Sequence, residues 1–359
     1  MTTARSPAFG VRSDLRDLNP YASPQMPARH RMNTNESPYE PSEALTADIA
    51  KALAATNLNR YPDRDAGALI EGLSRHLEWP SDGVWAANGS NELLLQLCLA
   101  YGGPGRTVMT FEPTYSLHSS IARISGARVV QLERADDFGI DLEAAVAAIR
   151  EQHPEIVMVC SPNNPTGGCE PLTTVEALLE EAPGVVVVDE AYVEFAGESD
   201  TAKPLLRTHP NLVVTRTFSK AWRLAGARIG YLLASPPIVS GLKLVRLPYH
   251  LSSMTQVIGE VALRHAHETI EHAKAIAQQR DRISMELQVM GLKTHPSDAN
   301  FVLFEVENPN EVWRGLLQHD VLLRNYSEAP FLRHCLRVTA GLPEETEAFL
   351  NALDGVLDD

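Results

Sequence analysis

The chain of 359 residues has no apolar run long enough to cross a bilayer. Basic residues are scarce beside acidic ones, 31 against 46, and the formal net charge is −15. No excess of Lys and Arg is left to neutralise phosphates, which argues against nucleic acid and against an anionic membrane surface as partners. Cysteine is rare. Cys98, Cys160, Cys169 and Cys335 are scattered, with no C-x-x-C spacing and no Cys/His set at zinc-site spacing. They read as reduced thiols of a cytoplasmic protein, and no metal is expected. His265, His267 and His272 include no i,i+4 pair and read as a polar helix face. The stretch MTTARSPAFGVRSDLRDLNPYASP lacks an apolar signal core, so export is not expected. Two nucleotide signatures are missing as well. GVVVVDEA resembles a Walker-B strand, but no Gly-Lys dipeptide exists to build the phosphate loop. YGGPGRTV follows a helix and precedes a strand, the reverse of a dinucleotide fingerprint.

What is present is an ordinary apolar fraction of 44% in a chain long enough for two lobes. Residues 1–44 are rich in Pro, Ser and Asn and read as an N-terminal arm contributing to the smaller lobe. Residues 45–250 alternate helical patterns with β-branched runs, beginning with SEALTADIAKALAAT, where Ser42 is a plausible N-cap. RTVMTF, ARVVQL, EIVMVC, GVVVVDE and NLVVTRT read as strands, separated by the helical LHSSIARISG, DLEAAVAAIREQ and TVEALLEEA. Val/Ile runs without polar alternation imply strands covered on both faces, hence an α/β fold with a mainly parallel central sheet between helices. Residues 251–359 change character. One long helical region closed by Gly291 precedes NFVLFEV, a helix at NEVWRGLLQHD, VLLR, LRVTAG and a last helix, giving a smaller α+β domain.

Ligands of open α/β sheets bind beyond the carboxyl ends of the strands. Here EIVMVC runs into SPNNPTGG, GVVVV into Asp189 and Tyr192, and NLVVT into Thr217, Ser219 and Lys220. A lysine at one strand end and a carboxylate at the next are what pyridoxal phosphate requires. The amine forms a Schiff base with its aldehyde, and the carboxylate keeps the pyridine nitrogen protonated.

The stretches RMNTNESPYEPS, NRYPDRDA, WAANGSNELLLQL, PTYSLH, SPNNPTG, VVDEAYVEF, TRTFSKAWRLAGARIGY, VRLPYHLSS, SDANFVLF and LRVTAGLPEE cover nearly the whole chain. In this order the chain resembles fold-type-I pyridoxal-phosphate aminotransferases, with a seven-stranded type of central sheet. Within them it is most similar to the actinobacterial-type histidinol-phosphate aminotransferases. The resemblance implies that Lys220, Asp189 and Tyr192 are catalytic. It implies that Ser90, Asn91, Thr217, Ser219 and Arg228 hold the cofactor phosphate, Tyr115 stacks on the ring, and Asn164 and Tyr192 bond its O3′. Tyr61 would reach the phosphate of the neighbouring subunit, which implies a homodimer. Arg337 would clamp the glutamate carboxylate, Arg324 with Arg337 the substrate phosphate, and Tyr21, Asn35 and Tyr249 would close over the substrate.

The implied reaction passes the amine of L-histidinol phosphate to 2-oxoglutarate, giving imidazole acetol phosphate and L-glutamate in histidine biosynthesis. The same scaffold serves aromatic amino-acid aminotransferases and threonine-phosphate decarboxylases. Two stretches depart from the family pattern. Trp222-Arg223 adds bulk and charge that are expected to bear on substrate preference. RNYSEAPFLRHC differs from the common form between Arg324 and Arg337.

Overall fold

The structure is a computed structural model that describes residues 10–16, 18, 25–197 and 200–358. Its strands are β1 (His30–Arg31), β2 (Val84–Ala87), β3 (Thr107–Glu112), β4 (Arg128–Glu133), β5 (Ile156–Cys160), β6 (Val185–Asp189), β7 (Leu212–Thr217), β8 (Gly230–Ala234), β9 (Phe301–Glu305), β10 (Val321–Leu322), β11 (Arg324–Asn325) and β12 (Cys335–Thr339).

Seven strands form one sheet in the order β2-β8-β7-β6-β5-β3-β4. β7, β6, β5, β3 and β4 are parallel, and β8 runs antiparallel to both β2 and β7. Every residue of β5 and β6 is buried, which is what their unbroken apolar runs require. Period-two geometry divides them between two cores. Val186 and Val188 face one core with helices Gly67–Leu77, Leu142–Gln152 and Leu172–Glu181. Val185 and Val187 face the other with helices Ser90–Tyr101, Leu117–Ser125 and Pro236–Val245. Ser42 and Asp141 cap their helices as expected, each accepting from a backbone N–H at 3.1 Å.

A second architecture follows. β11, β12 and β9 form an antiparallel sheet, packed with helices Ala266–Val289 and Pro343–Asp358 around Phe301, Phe304 and Phe349. The long helical region divides at His265 into Ser253–Arg264 and Ala266–Val289. VLLR is two strands, not one. β10 pairs with β1 of the arm, β11 pairs with β12, and buried Leu323 lies between. The arm is thereby threaded into this sheet system: Met32 donates to the Leu322 carbonyl and accepts from the Thr339 amide, both at 2.9 Å.

Candidate active site

The ends of β5, β6 and β7 lie side by side, with Cys160, Asp189 and Thr215 in register. They open into a cavity of about 630 Å³ between the large sheet and the three-stranded one. Asn35, Ser90, Asn91, Tyr115, Asn164, Asp189, Tyr192, Thr217, Ser219, Lys220, Arg228, Arg324 and Arg337 all line it. Tyr21 lies outside the described residues. Tyr61 and Tyr249 do not line the cavity. They stack on each other, centroids 4.4 Å apart, and Tyr61 is 80% exposed. The Tyr249 ring, expected to close over the substrate, is engaged with Tyr61 at the surface.

Asp189 is buried at the end of β6. Thr215 donates to its Oδ1 at 3.1 Å, and His118 Nε2 lies 3.1 Å from its Oδ2. His118 is wholly buried on helix Leu117–Ser125, and nothing in its sequence context announces this role. Lys220 follows β7. Its Nζ donates to the Thr34 carbonyl at 2.9 Å and lies 5.8 Å from the centre of the Tyr192 ring. Burial, reinforced by Arg337 and Arg228 and opposed by Glu36, lowers its pKa to about 8. Burial also pushes the Tyr192 phenol well above its usual range.

Asn35 sits in the left-handed region, φ 56°, which asparagine tolerates. Its Nδ2 donates to the Tyr192 hydroxyl at 2.9 Å, and its Oδ1 accepts from Thr339 at 3.0 Å. Asn35 thus fixes Tyr192 against β12 while lining the cavity.

One end of the cavity is a cup of donors. Helix Ser90–Tyr101 begins there, and its N-cap, Gly89, makes no side-chain cap bond to the first-turn amides. Thr217 donates to Ser219 at 2.9 Å, and Arg228 donates to the Ala225 carbonyl at 3.2 Å. Gly89, φ 81°, precedes the helix, and a Cβ there would meet Arg228 Nη2 at 2.5 Å. Only glycine lets the guanidinium lie against the helix start.

The other end holds the arginines. Arg324 and Arg337 are direct partners across β11 and β12. Arg337 is 4% exposed. It donates to the Asn164 side-chain oxygen, to the Asn33 carbonyl at 2.8 Å and to the Tyr326 hydroxyl at 3.0 Å.

Trp222 and Arg223 do not line the cavity, which corrects the expectation drawn from them. Trp222 stacks on Phe218 at 4.3 Å in the core. Arg223, φ 61°, points away, donating to Glu268 at 2.7 Å and to the Glu40 carbonyl at 3.1 Å.

A half-buried lysine and a buried carboxylate at adjacent parallel strand ends, between an anion cup and an arginine pair, define a class of enzyme. The chain belongs to the class I and II aminotransferases, whose family model matches residues 30–353. It is similar to the histidinol-phosphate aminotransferases of Thermobifida fusca, 48% identical over 96% of this chain and 94% of that one, and of Frankia casuarinae, 50% identical over 97% and 90%. Among solved structures it is similar to histidinol-phosphate aminotransferase from Sinorhizobium meliloti in complex with pyridoxal-5'-phosphate. The TM-score is 0.88 and the identity 27%, over 98% of this chain and 99% of that one.

Proposed function

We propose that this chain is a pyridoxal-phosphate-dependent transaminase that takes the amine of L-histidinol phosphate and delivers it to 2-oxoglutarate. The observation that carries the reading is the single cavity that joins Lys220 and Asp189 to the pair Arg324 and Arg337. The full-length similarity to histidinol-phosphate aminotransferases supports the choice of substrate.

The residues present fit the cofactor. The Ser90 and Asn91 helix start, Thr217, Ser219 and Arg228 supply donors for its phosphate. Asp189, held at both oxygens, suits the pyridine nitrogen. Asn164, its oxygen taken by Arg337, has its NH₂ left for the ring hydroxyl, beside Tyr192. Tyr115 donates to Asn91 at 3.1 Å, which fixes its ring at the cavity wall. When bound, pyridoxal phosphate supplies an aldehyde for the amine and a ring that takes up the electron pair released at the substrate α-carbon.

The protein's own work is binding and proton handling. Lys220 is the amine that holds the cofactor and, once displaced by substrate, the base at the substrate α-carbon. Its lowered pKa leaves a useful neutral fraction near pH 7. Arg337 and Arg324 receive the phosphate of one substrate and a carboxylate of the other, since guanidinium forks match both anions. Tyr192 orients the cofactor hydroxyl through its bond from Asn35.

The working unit on this reading is a homodimer. The exposed Tyr61–Tyr249 stack is the feature that would reach the neighbouring subunit's cofactor phosphate. No helix among the described residues is long and apolar enough to cross a membrane, and all four cysteines are free. Both facts suit the cytoplasm.

The test is a half-reaction panel on purified holoenzyme. Histidinol phosphate should convert the bound cofactor to its amine form in a single turnover, faster than phenylalanine or tyrosine, without release of carbon dioxide. Lys220→Ala should abolish turnover. Carbon dioxide release, faster reaction of the aromatic amino acids, or an active Lys220→Ala enzyme would each sink the reading.

A further inference from the structure

We propose that Tyr326 is a specificity-determining residue: its phenol is the third group, after Arg324 and Arg337, that recognises the phosphate ester of the amine donor. This rests on the functional reading above. No motif marks Tyr326; it lies in the stretch between the two arginines that departs from the family pattern.

Tyr326 follows β11 and lines the cavity. Its backbone is pinned on both sides. The amide donates to the Cys335 carbonyl at 3.1 Å, and the carbonyl accepts from Ala329 at 2.8 Å. Both guanidinium carbons, of Arg324 and of Arg337, stand 5.7 Å from the centre of its ring. The ring therefore lies against both cations of a cross-strand pair. Like charges directly opposite each other in a ladder are destabilising. Such a pair is stabilised by an anion placed between its members, and the π face offsets part of the repulsion meanwhile.

Two further details point to a ligand. Arg337 is 4% exposed, yet its Nε has no partner among the described residues. Buried donors are almost always satisfied, so an acceptor belongs there. The Tyr326 hydroxyl accepts from Arg337 Nη1 at 3.0 Å. Its own proton is then the donor that remains, and no described residue accepts it. An arginine pair alone does not separate carboxylates from phosphates. A phosphate monoester has three terminal oxygens where a carboxylate has two. A third donor beside the arginines thus favours the phosphorylated substrate over the dicarboxylate.

The experiment compares holoenzyme and Tyr326→Phe in single-turnover half-reactions with histidinol phosphate, unphosphorylated histidinol and glutamate. Removing one hydrogen bond to a charged group predicts a loss of roughly 10- to 100-fold in apparent affinity for histidinol phosphate. Glutamate should change less than about threefold and histidinol not at all, with the maximal rate kept. Inorganic phosphate should also inhibit the glutamate half-reaction of the variant correspondingly less. Equal losses for histidinol phosphate and histidinol, or undiminished phosphate inhibition, would overturn the assignment to Tyr326. Wild-type enzyme inert towards histidinol phosphate would instead overturn the functional reading, before any variant is made. The visible absorption of the bound cofactor reports that Tyr326→Phe is folded and loaded.

Discussion

Arg223→Ala separates two roles for the charge beside the lysine. The Arg223 side chain is 2% exposed, and its partner Glu268 is 14% exposed. Glu268 is a hub: besides Arg223 it accepts from Ser42 at 2.9 Å, and it lies 3.0 Å from His265 Nδ1. These bonds hold its carboxyl down at about 2. Arg223 also reaches the Glu40 carbonyl, so it ties the lysine loop to the N-terminal segment and to helix Ala266–Val289 at once. Deleting one partner of a buried pair costs about 3–5 kcal/mol. Glu268 keeps two other partners and some water, so about 2–3 kcal/mol is the expected loss of stability. Position 223 is left-handed, and alanine there retains a strain of about 1 kcal/mol that glycine relieves. Arg223→Gly should therefore be less destabilised than Arg223→Ala by about that amount, despite losing the same guanidinium. Urea unfolding followed by tryptophan fluorescence measures both, since Trp222 is adjacent and buried. The ratio of kcat/KM for histidinol phosphate over phenylalanine should stay unchanged. An unaltered unfolding midpoint in Arg223→Ala, or a shifted substrate ratio, would refute the strap and return the residue to the substrate site.

Cofactor loading of the apoenzyme should rise with pH and level off above about 8, because the attacking amine must be neutral and burial lowers Lys220 to about 8. At pH 7 roughly a tenth of the amine is neutral, against roughly one part in three thousand for an ordinary lysine. A loading rate still climbing tenfold per unit between pH 9 and 10 would contradict this. His118→Phe should keep the core filled but remove one of the two groups holding Asp189. Cofactor retention on dialysis should weaken about tenfold, and unchanged retention would show that Thr215 alone suffices.

The large sheet was legible because two-sided burial writes itself as valine runs, in β5, β6 and β7 above all. β2 and β8 were not legible. VWAA is four residues long with two alanines, and GYLLA begins at the very end of the lysine stretch. Helix Pro236–Val245 opens on two prolines, which suit a first turn but read as a break. The cavity residues at strand ends were legible from strand order and family resemblance. His118 and Tyr326 were not: His118 meets Asp189 71 residues further along the chain, and Tyr326 lies in a stretch that no motif marks. Trp222 and Arg223 misled for a related reason. Closeness to Lys220 in sequence gave no sign that the chain turns left-handed at residue 223 and sends both side chains away from the cavity.

Asn35 has a consequence for how the protein is made. It bonds Tyr192 and Thr339, which lie 157 and 304 residues further along the chain. A ribosome releases residue 35 early, and the large sheet can assemble behind it. The asparagine can meet Tyr192 earlier but lacks its second partner until β12 has emerged. The Thr34 carbonyl that meets Lys220 waits with it. Completion of the catalytic pocket is therefore tied to synthesis of nearly the whole polypeptide, and contacts of such long sequence separation form slowly. A chain truncated before residue 335 lacks β12 and with it the seat of the arm. Its nascent form would carry the lysine and the carboxylate without the groups that hold them in working order.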